Sequence, residues 1–356
     1  LIDAGYDDVL DDYVITDSIN SVTSLDVSND SISDLTGIGD FIVLTELVCN
    51  NNQLTSLDVS GNTDLTDLHC ANNQLTSLDV STNTALTFLS CGDGNQLTSL
   101  DVSNNTDLTD LYCANNQLTT LDVSSNTALT VLTCSDNQLT SLDVSANTAL
   151  TYLSCSSNPL TSLDVSANTA LTYLRCKNNQ LTSLDVSINT ALTNLYCYDN
   201  QLTTLDVGTN TALTQLECYN NSLTNLDVSN NTALTWLNCA NNELTYLNMK
   251  NGITDALTTF DATDNLLTCI ETQDPDYATA NWTYTNGNID EGVAFAVDCA
   301  PVSINSEIIP LKFQLYNAYP NPLNPVTTLR YDLPENGIVT IIIYDMLGRE
   351  VKTLVN

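Results

Sequence analysis

The chain has 356 residues and is strongly acidic, with 7 Lys and Arg against 43 Asp and Glu and a formal net charge of -36. That balance excludes nucleic acid as a partner, because phosphate binding needs a basic surface, and it works against anionic membrane surfaces. A hydrophobic content of 42% is too high for disorder, and no run of 18 apolar residues exists to span a bilayer.

Residues 1–18 carry Asp7, Asp8, Asp11 and Asp12, which lack the ligand spacing of an EF-hand loop. From residue 19 onward the text repeats. Ten cysteines set the period: Cys49, Cys70, Cys91, Cys113, Cys134, Cys155, Cys176, Cys197, Cys218 and Cys239. Their nine intervals span 190 residues, a 21-residue period with one residue inserted near Gly92–Gly94. A register held over that distance marks a repeat architecture.

One unit, residues 65–85, contains two half-units of the same form. Leu65, Leu68, Cys70 and Asn73 make LxxLxCxxN, and Leu75, Leu78, Val80 and Asn83 make LxxLxVxxN. This pattern resembles the leucine-rich repeats, in particular the short bacterial 21-residue class with a nested half-repeat, over roughly residues 19–270. The resemblance implies a mainly β solenoid of about eleven 21-residue coils, with a short helical N-cap over residues 1–18 and a C-terminal cap over 271–305. The residues agree with it on physical grounds. Leu-x-Cys and Leu-x-Val alternate with period 2, so both side chains point to one face of a strand. Asn, Ser, Thr, Asp and Gly turn the chain after each strand and satisfy backbone groups locally. No half-unit has the length a helix needs. Coils are expected to stack about 4.8 Å apart, each resting on its neighbours.

Four ladders follow from the period. The cysteine ladder faces a packed core in a single row, whereas zinc needs about four converging ligands. His69 is the only histidine. A row of small buried thiols is therefore expected, with parallel Cβ vectors that do not favour disulfides, and no metal site. The aspartate ladder (Asp58, Asp79, Asp101, Asp122, Asp143, Asp164, Asp185, Asp206 and Asp227) points outward. Adjacent carboxylates about 5 Å apart repel by roughly 1 kcal/mol in water. Two readings offset that: bound calcium, or hydrogen bonds to Ser, Thr and backbone N–H groups with sodium screening the rest. The asparagine ladders, Asn52 to Asn242 and Asn62 to Asn231, read as buried corner residues that satisfy turn groups.

Variation concentrates on the outward positions around LxxLxCxx. Phe88, Tyr112, Tyr152, Tyr173, Tyr196, Tyr198, Tyr219 and Trp236 cluster there, with Arg175 and Lys177 on one coil. These ten are the candidate ligand-binding residues, for either a protein or a polysaccharide, since exposed aromatics with Arg resemble interface hot spots and flat rings stack on sugars. The alternative is that strand-forming aromatics pack on one another across strands.

Cys269 and Cys299 break the period and flank residues 268–298, which include Asn281-Trp282-Thr283. This stretch resembles the C-terminal cap of secreted bacterial repeat proteins. The resemblance implies a disulfide between the two cysteines, worth about 3–4 kcal/mol, with two unpaired cap cysteines as the alternative. Within residues 306–356, the text Tyr319-Pro-Asn-Pro-Leu-Asn-Pro325, Thr327-Thr-Leu-Arg-Tyr-Asp-Leu-Pro334 and Val339-Thr-Ile-Ile-Ile-Tyr-Asp-Met-Leu-Gly-Arg349 resembles the C-terminal sorting domain of the type IX (Por) secretion system. It implies a partial Ig-like β-sandwich with strands near 327–333 and 338–344. It further implies recognition by outer-membrane secretion machinery and export to the cell surface or medium of a Gram-negative bacterium.

An enzyme is not expected. One histidine supplies no Ser-His-acid or Cys-His set, and a regular row of carboxylates offers no cleft for glycoside hydrolysis. The expected function is a secreted or surface binding and adhesion module. The alternative is a structural spacer or self-assembling surface filament, possibly stiffened by calcium, for which no other cofactor is implied.

Overall fold

The computed structural model describes residues 16–252 and 254–299, and beyond them residues 314–315, 331–332, 340–344 and 349–355. The main sheet of the solenoid is built from strands only three residues long. Each has an outward, inward, outward pattern, as in Asp67–His69, where Leu68 is fully buried between two half-exposed neighbours. Twelve such strands form one parallel sheet, running from Ser24–Asp26 to Thr259–Asp261. Register is strict: Leu47 pairs Leu68, Leu68 pairs Leu89, and so on to Leu216 with Leu237 and Leu237 with Phe260. The chain makes about 13 turns, more than the eleven or so that the period implies. The additional turns lie at the ends. Ser24 pairs Glu46 and Trp236 pairs Thr259, spacings longer than 21 residues and without the cysteine, so they escape a search keyed on that period.

The core is a single continuous column. Each coil contributes six side chains, such as Leu65, Leu68, Cys70, Leu75, Leu78 and Val80, all at most 7% exposed. Burying each leucine or valine contributes about 1.5–3 kcal/mol, and no coil can bury its faces without the next. All ten repeat cysteines are buried free thiols. Burial pushes each of them up, Cys91 and Cys155 to about 12.

Backbone and side chains tie successive coils together. Thr66 N donates to Thr45 O at 2.8 Å, and Cys70 N to Ser90 O at 2.8 Å. The first asparagine ladder works on both sides of each residue. Asn73 Nδ2 donates to Cys49 O and Cys70 O, while its Oδ1 accepts from Leu54 N at 3.0 Å. The second ladder is only half engaged. Asn83 Nδ2 donates to Val59 O and Asn62 O, but the Oδ1 atoms of Asn62, Asn83, Asn105, Asn126, Asn147, Asn168, Asn189, Asn210 and Asn231 are buried without a partner. These asparagines satisfy carbonyls, not N–H groups, which narrows the expected role.

A further ladder went unread in the sequence. The residue before each first-ladder asparagine has positive φ: Asn51, Asn72, Asn115, Asp136, Ser157, Asn178, Asp199, Asn220 and Asn241 all lie near +50°. Asn and Asp tolerate this region best among non-glycine residues, and several bond along the stack, such as Asn72 Nδ2 to Asn51 Oδ1 at 2.6 Å. The inserted residue in the Cys91 coil is absorbed by Asp93 and Gly94 at φ 49 and 105. A Cβ on Gly92 would come within 2.7 Å of Ala114 O, so only glycine fits there.

Short strands also appear opposite the main sheet, as expected, but as a sheet only near the C-terminal end: Asn225–Asp227, Tyr246–Met249, Cys269–Thr272 and Ala294–Ala296. The helix Pro275–Asn281, capped by Asp274 accepting from Tyr277 N, leads into Trp282, which packs on Phe260 and Phe295. Asn288 Nδ2 donates to Phe260 O. The last strand of the sheet is thereby covered. Cys269 and Cys299 are both disulfide-bonded.

At the other end a one-turn helix, Thr16–Ile19, precedes the first strand. Residues 1–15, with Asp7, Asp8, Asp11 and Asp12, lie outside the described residues. Residues 299–356 form a separate unit. Its described parts are two antiparallel pairs, Gln314–Leu315 with Tyr331–Asp332 and Thr340–Tyr344 with Glu350–Val355. The expected Ig-like sandwich is not shown: among the described residues the two pairs share no sheet, and the rest of the motif text lies outside them.

Candidate binding face

The main sheet presents three outward columns, because every residue that flanks an inward Leu or Cys points away from the core. All ten predicted residues stand on these columns. Phe88, Tyr152, Tyr173 and Trp236 share the first, Tyr112, Arg175 and Tyr196 the second, and Lys177, Tyr198 and Tyr219 the third.

The structure gathers them into three groups. In the first, Phe88 stacks on His69 with ring centroids 4.4 Å apart, and tilts against Tyr112 at 5.3 Å. In the second, Tyr152 and Tyr173 stack at 4.4 Å with their planes 10° apart, and Tyr173 meets Tyr196 at 5.3 Å. Arg175 lies against both, its guanidinium carbon 5.7 Å from the Tyr173 ring centre and 5.0 Å from that of Tyr196. In the third, Tyr198 and Tyr219 stack at 4.2 Å, and Lys177 Nζ lies 5.0 Å from the Tyr198 ring centre. Trp236 joins none of these and is 38% exposed.

Cross-strand packing and exposure therefore coexist on one face. The stacked rings of Tyr152 and Tyr173 and of Tyr198 and Tyr219 turn a face to one another, and those faces are closed to a flat sugar. Tyr196 is only 9% exposed, with Arg175 over its ring and Gln215 of the next coil at its hydroxyl. Its hydroxyl donates to Gln215 Oε1 at 2.8 Å, Asn194 Nδ2 donates to the same oxygen, and Gln215 Nε2 donates to Glu217 Oε1. Burial pushes the Tyr173 and Tyr219 hydroxyls up, reinforced by the neighbouring hydroxyls of Tyr196 and Tyr198 respectively. Both stay neutral donors at physiological pH.

His69, Asn194 and Gln215 stand on the same outward columns but are not among the ten candidates. They occupy the same variable positions as the aromatics, so the position was the signal and the residue type hid it. Ser154 and Ser156 are the other omission. Both are buried, at 5% and 2% exposure, beside the strand that carries Arg175 and Lys177. Ser135 and Ser154 hydroxyls bond each other at 2.8 Å, while Ser156 Oγ has no partner.

The aspartate ladder lies on the opposite side. Each carboxylate caps its own turn, with Asp143 Oδ1 accepting from Ser145 N at 2.9 Å and Asp122 Oδ1 from Ser124 N at 2.9 Å. The Ser side chain and backbone N–H hold these carboxyls below the usual range. Among the described residues no group of three or more His, Cys, Asp or Glu is arranged to hold a metal ion, and no helix is long and apolar enough to cross a membrane.

Comparison with known proteins bears on the repeats. The family Leucine Rich repeats (2 copies) matches residues 127–168. Internalin J of Listeria monocytogenes serotype 4b (strain F2365) is 46% identical over 52 residues, which is 15% of this chain and 6% of that protein's length. The solved functional domain of InlJ from Listeria monocytogenes, described as including a cysteine ladder, superposes with a TM-score of 0.60 at 35% identity, covering 74% of this chain and 72% of that one. The internalin InlF of Listeria monocytogenes superposes with a TM-score of 0.65 over 81% of this chain and 90% of that one, at 22% identity, and shares the fold. No catalytic family is indicated. With the periodic core, the buried thiol ladder and a similarity that runs through most of the solenoid, the chain belongs to the internalin-like leucine-rich-repeat family.

Proposed function

We propose that this solenoid is a secreted or surface-exposed protein-binding module whose contact surface is the outward face of the main sheet, centred on Tyr152, Tyr173, Arg175, Lys177, Tyr198 and Tyr219. The observation that carries this reading is the confinement of variation. Core, corner and aspartate positions repeat almost verbatim, while the three outward columns change from coil to coil and hold the aromatic and cationic groups. Aromatics and Arg dominate the energetics of protein interfaces, and leucine-rich-repeat proteins of this kind bind protein partners. A protein fits better than a polysaccharide because the stacked rings each close one face against a neighbour. The text of residues 316–349 supports export through outer-membrane secretion machinery in a Gram-negative bacterium.

The alternative of an end-to-end filament has less support, since Trp282 and Asn288 cover the last strand of the sheet. The test is a surface-protein array probed with the full chain and with a Tyr152→Ala/Tyr173→Ala variant. Binding that the variant loses places the function on this face. Binding equal in both removes the face from the account.

A further inference from the structure

The electrostatics of the face are inverted relative to the rest of the molecule. Arg175 and Lys177 stand two residues apart on one coil of a chain whose net charge is -36. Among the described residues Lys250 pairs with Glu271 and Asp298, whereas neither Arg175 nor Lys177 enters an ion pair with a described carboxylate. Of the acids on the face, Glu217 accepts from Gln215 and Asp199 accepts from Asn220. Each cation rests only on tyrosine rings.

Two buried donors beside them are also unused. Arg175 Nε is buried without a hydrogen-bond partner, and so is the hydroxyl of Ser156, itself 2% exposed. Ser157 N donates to Lys177 O and Ser154 pairs with Arg175, so Ser156 stands next to Lys177 and diagonal to Arg175. Natural structures rarely leave such donors unpaired, because a buried polar group without a partner forfeits its hydration for nothing in return. Two cations without a described carboxylate partner and two buried donors without a hydrogen-bond partner thus lie on adjacent coils.

Resting on the protein-binding reading, we propose that Arg175, Lys177 and Ser156 form a carboxylate-recognition site that takes an acidic segment of a protein partner, with Asp or Glu side chains seated on the Arg175–Lys177 coil and the stacked tyrosines framing them. A peptide suits the site better than an acidic sugar, since the Tyr152–Tyr173 and Tyr198–Tyr219 stacks close one face of each ring to a sugar. The site also has an unusual salt signature. The molecule's overall field repels an acidic ligand over long range and is screened by salt, whereas a close charge pair on a partly buried guanidinium is screened much less. Affinity for an acidic ligand should therefore hold or rise between about 20 and about 150 mM salt.

The experiment is fluorescence anisotropy of labelled hexaglutamate with the full chain, beside hyaluronate oligosaccharide as the acidic-sugar probe. The variants are Arg175→Gln/Lys177→Gln and Ser156→Ala, with thermal midpoints confirming that each is folded. Support is hexaglutamate binding that does not weaken with salt, drops at least about tenfold in the double variant, and drops by less in Ser156→Ala. Hexaglutamate that fails to bind, or binds equally to the double variant, overturns the proposal. So does hyaluronate binding in its place with the same dependence on Arg175 and Lys177. Should the Tyr152→Ala/Tyr173→Ala variant lose a protein partner that Arg175→Gln/Lys177→Gln keeps, the binding face stands and the carboxylate site falls. Should neither variant lose it, the face falls as well.

Discussion

The two long sides of this solenoid come from the same coils and diverge completely in what their residues do. On the aspartate side each coil repeats Asp, Ser and a buried Asn, and every carboxylate is spent on its own turn, as with Asp143 and Ser145 N. On the sheet side the corresponding positions hold Glu, Phe, Val, Tyr, Arg, Gln or Trp, and the side chains reach across coils to one another. A position that repeats in a stack is held by an interaction made identically in every coil. A position that varies is free of that duty and available to a ligand.

The comparison breaks most visibly in the core that both sides share. Leu153→Ala should cost about 3–5 kcal/mol, because the residue is fully buried and coils above and below cannot collapse onto the void. Urea denaturation would measure this, and a loss below about 2 kcal/mol would show that the column is loosely packed. The corner asparagines come next. Asn137→Ala removes one donor each from Cys113 O, Cys134 O and Ser135 O, which keep Asn116 Nδ2, Asn158 Nδ2 and Asn115 N, and strands Leu118 N, for about 2–4 kcal/mol. Asn147→Ala removes one donor each from Val123 O and Asn126 O, which keep Asn126 N and Leu129 N, and removes an already unpaired Oδ1. Its cost should be smaller, about 1–3 kcal/mol. Equal costs would mean that the two corners are equivalent after all.

A chemical probe sharpens the same contrast. The ten repeat thiols should be inert to a thiol reagent at pH 8 in the folded chain and all titrate in denaturant, because only the thiolate reacts and burial pushes them far above that pH. Partial reactivity at native pH would reveal coils that open. The smallest effect belongs to the aspartate ladder. The folded carboxyls of Asp58, Asp79, Asp101, Asp122, Asp143, Asp164 and Asp185 lie below their ordinary value. Their contribution is complete above the unfolded pKa near about 4 and is lost as pH falls through the lower folded value. The urea midpoint should therefore decline as pH drops below about 4, with no change between calcium and excess chelator at neutral pH. A midpoint raised by calcium would restore the cation reading of the ladder.

Much of this was legible without coordinates. The 21-residue register of cysteines fixed the coil, and the alternation in Leu-x-Cys fixed which side chains face inward, since both are local rules of strand geometry. The outward columns could be listed from the same register. The number of turns was undercounted because the end coils depart from the period, and the sandwich expected from Tyr319 to Arg349 was a matter of resemblance and not of pattern.

What the sequence determined by itself is the inside of the molecule and the membership of its outer columns, because period and alternation assign each residue a depth. Only the tertiary structure decided which outward residues meet. Arg175 and Tyr196 could each have stood apart from their neighbours. Their fate was set by the parallel register that brings Tyr173, Arg175 and Tyr196 together across two coils, and by the bulk of the neighbours there. The same register left Arg175 Nε and Ser156 Oγ without partners. Such pairings join residues about twenty positions apart through space, and no local propensity encodes them.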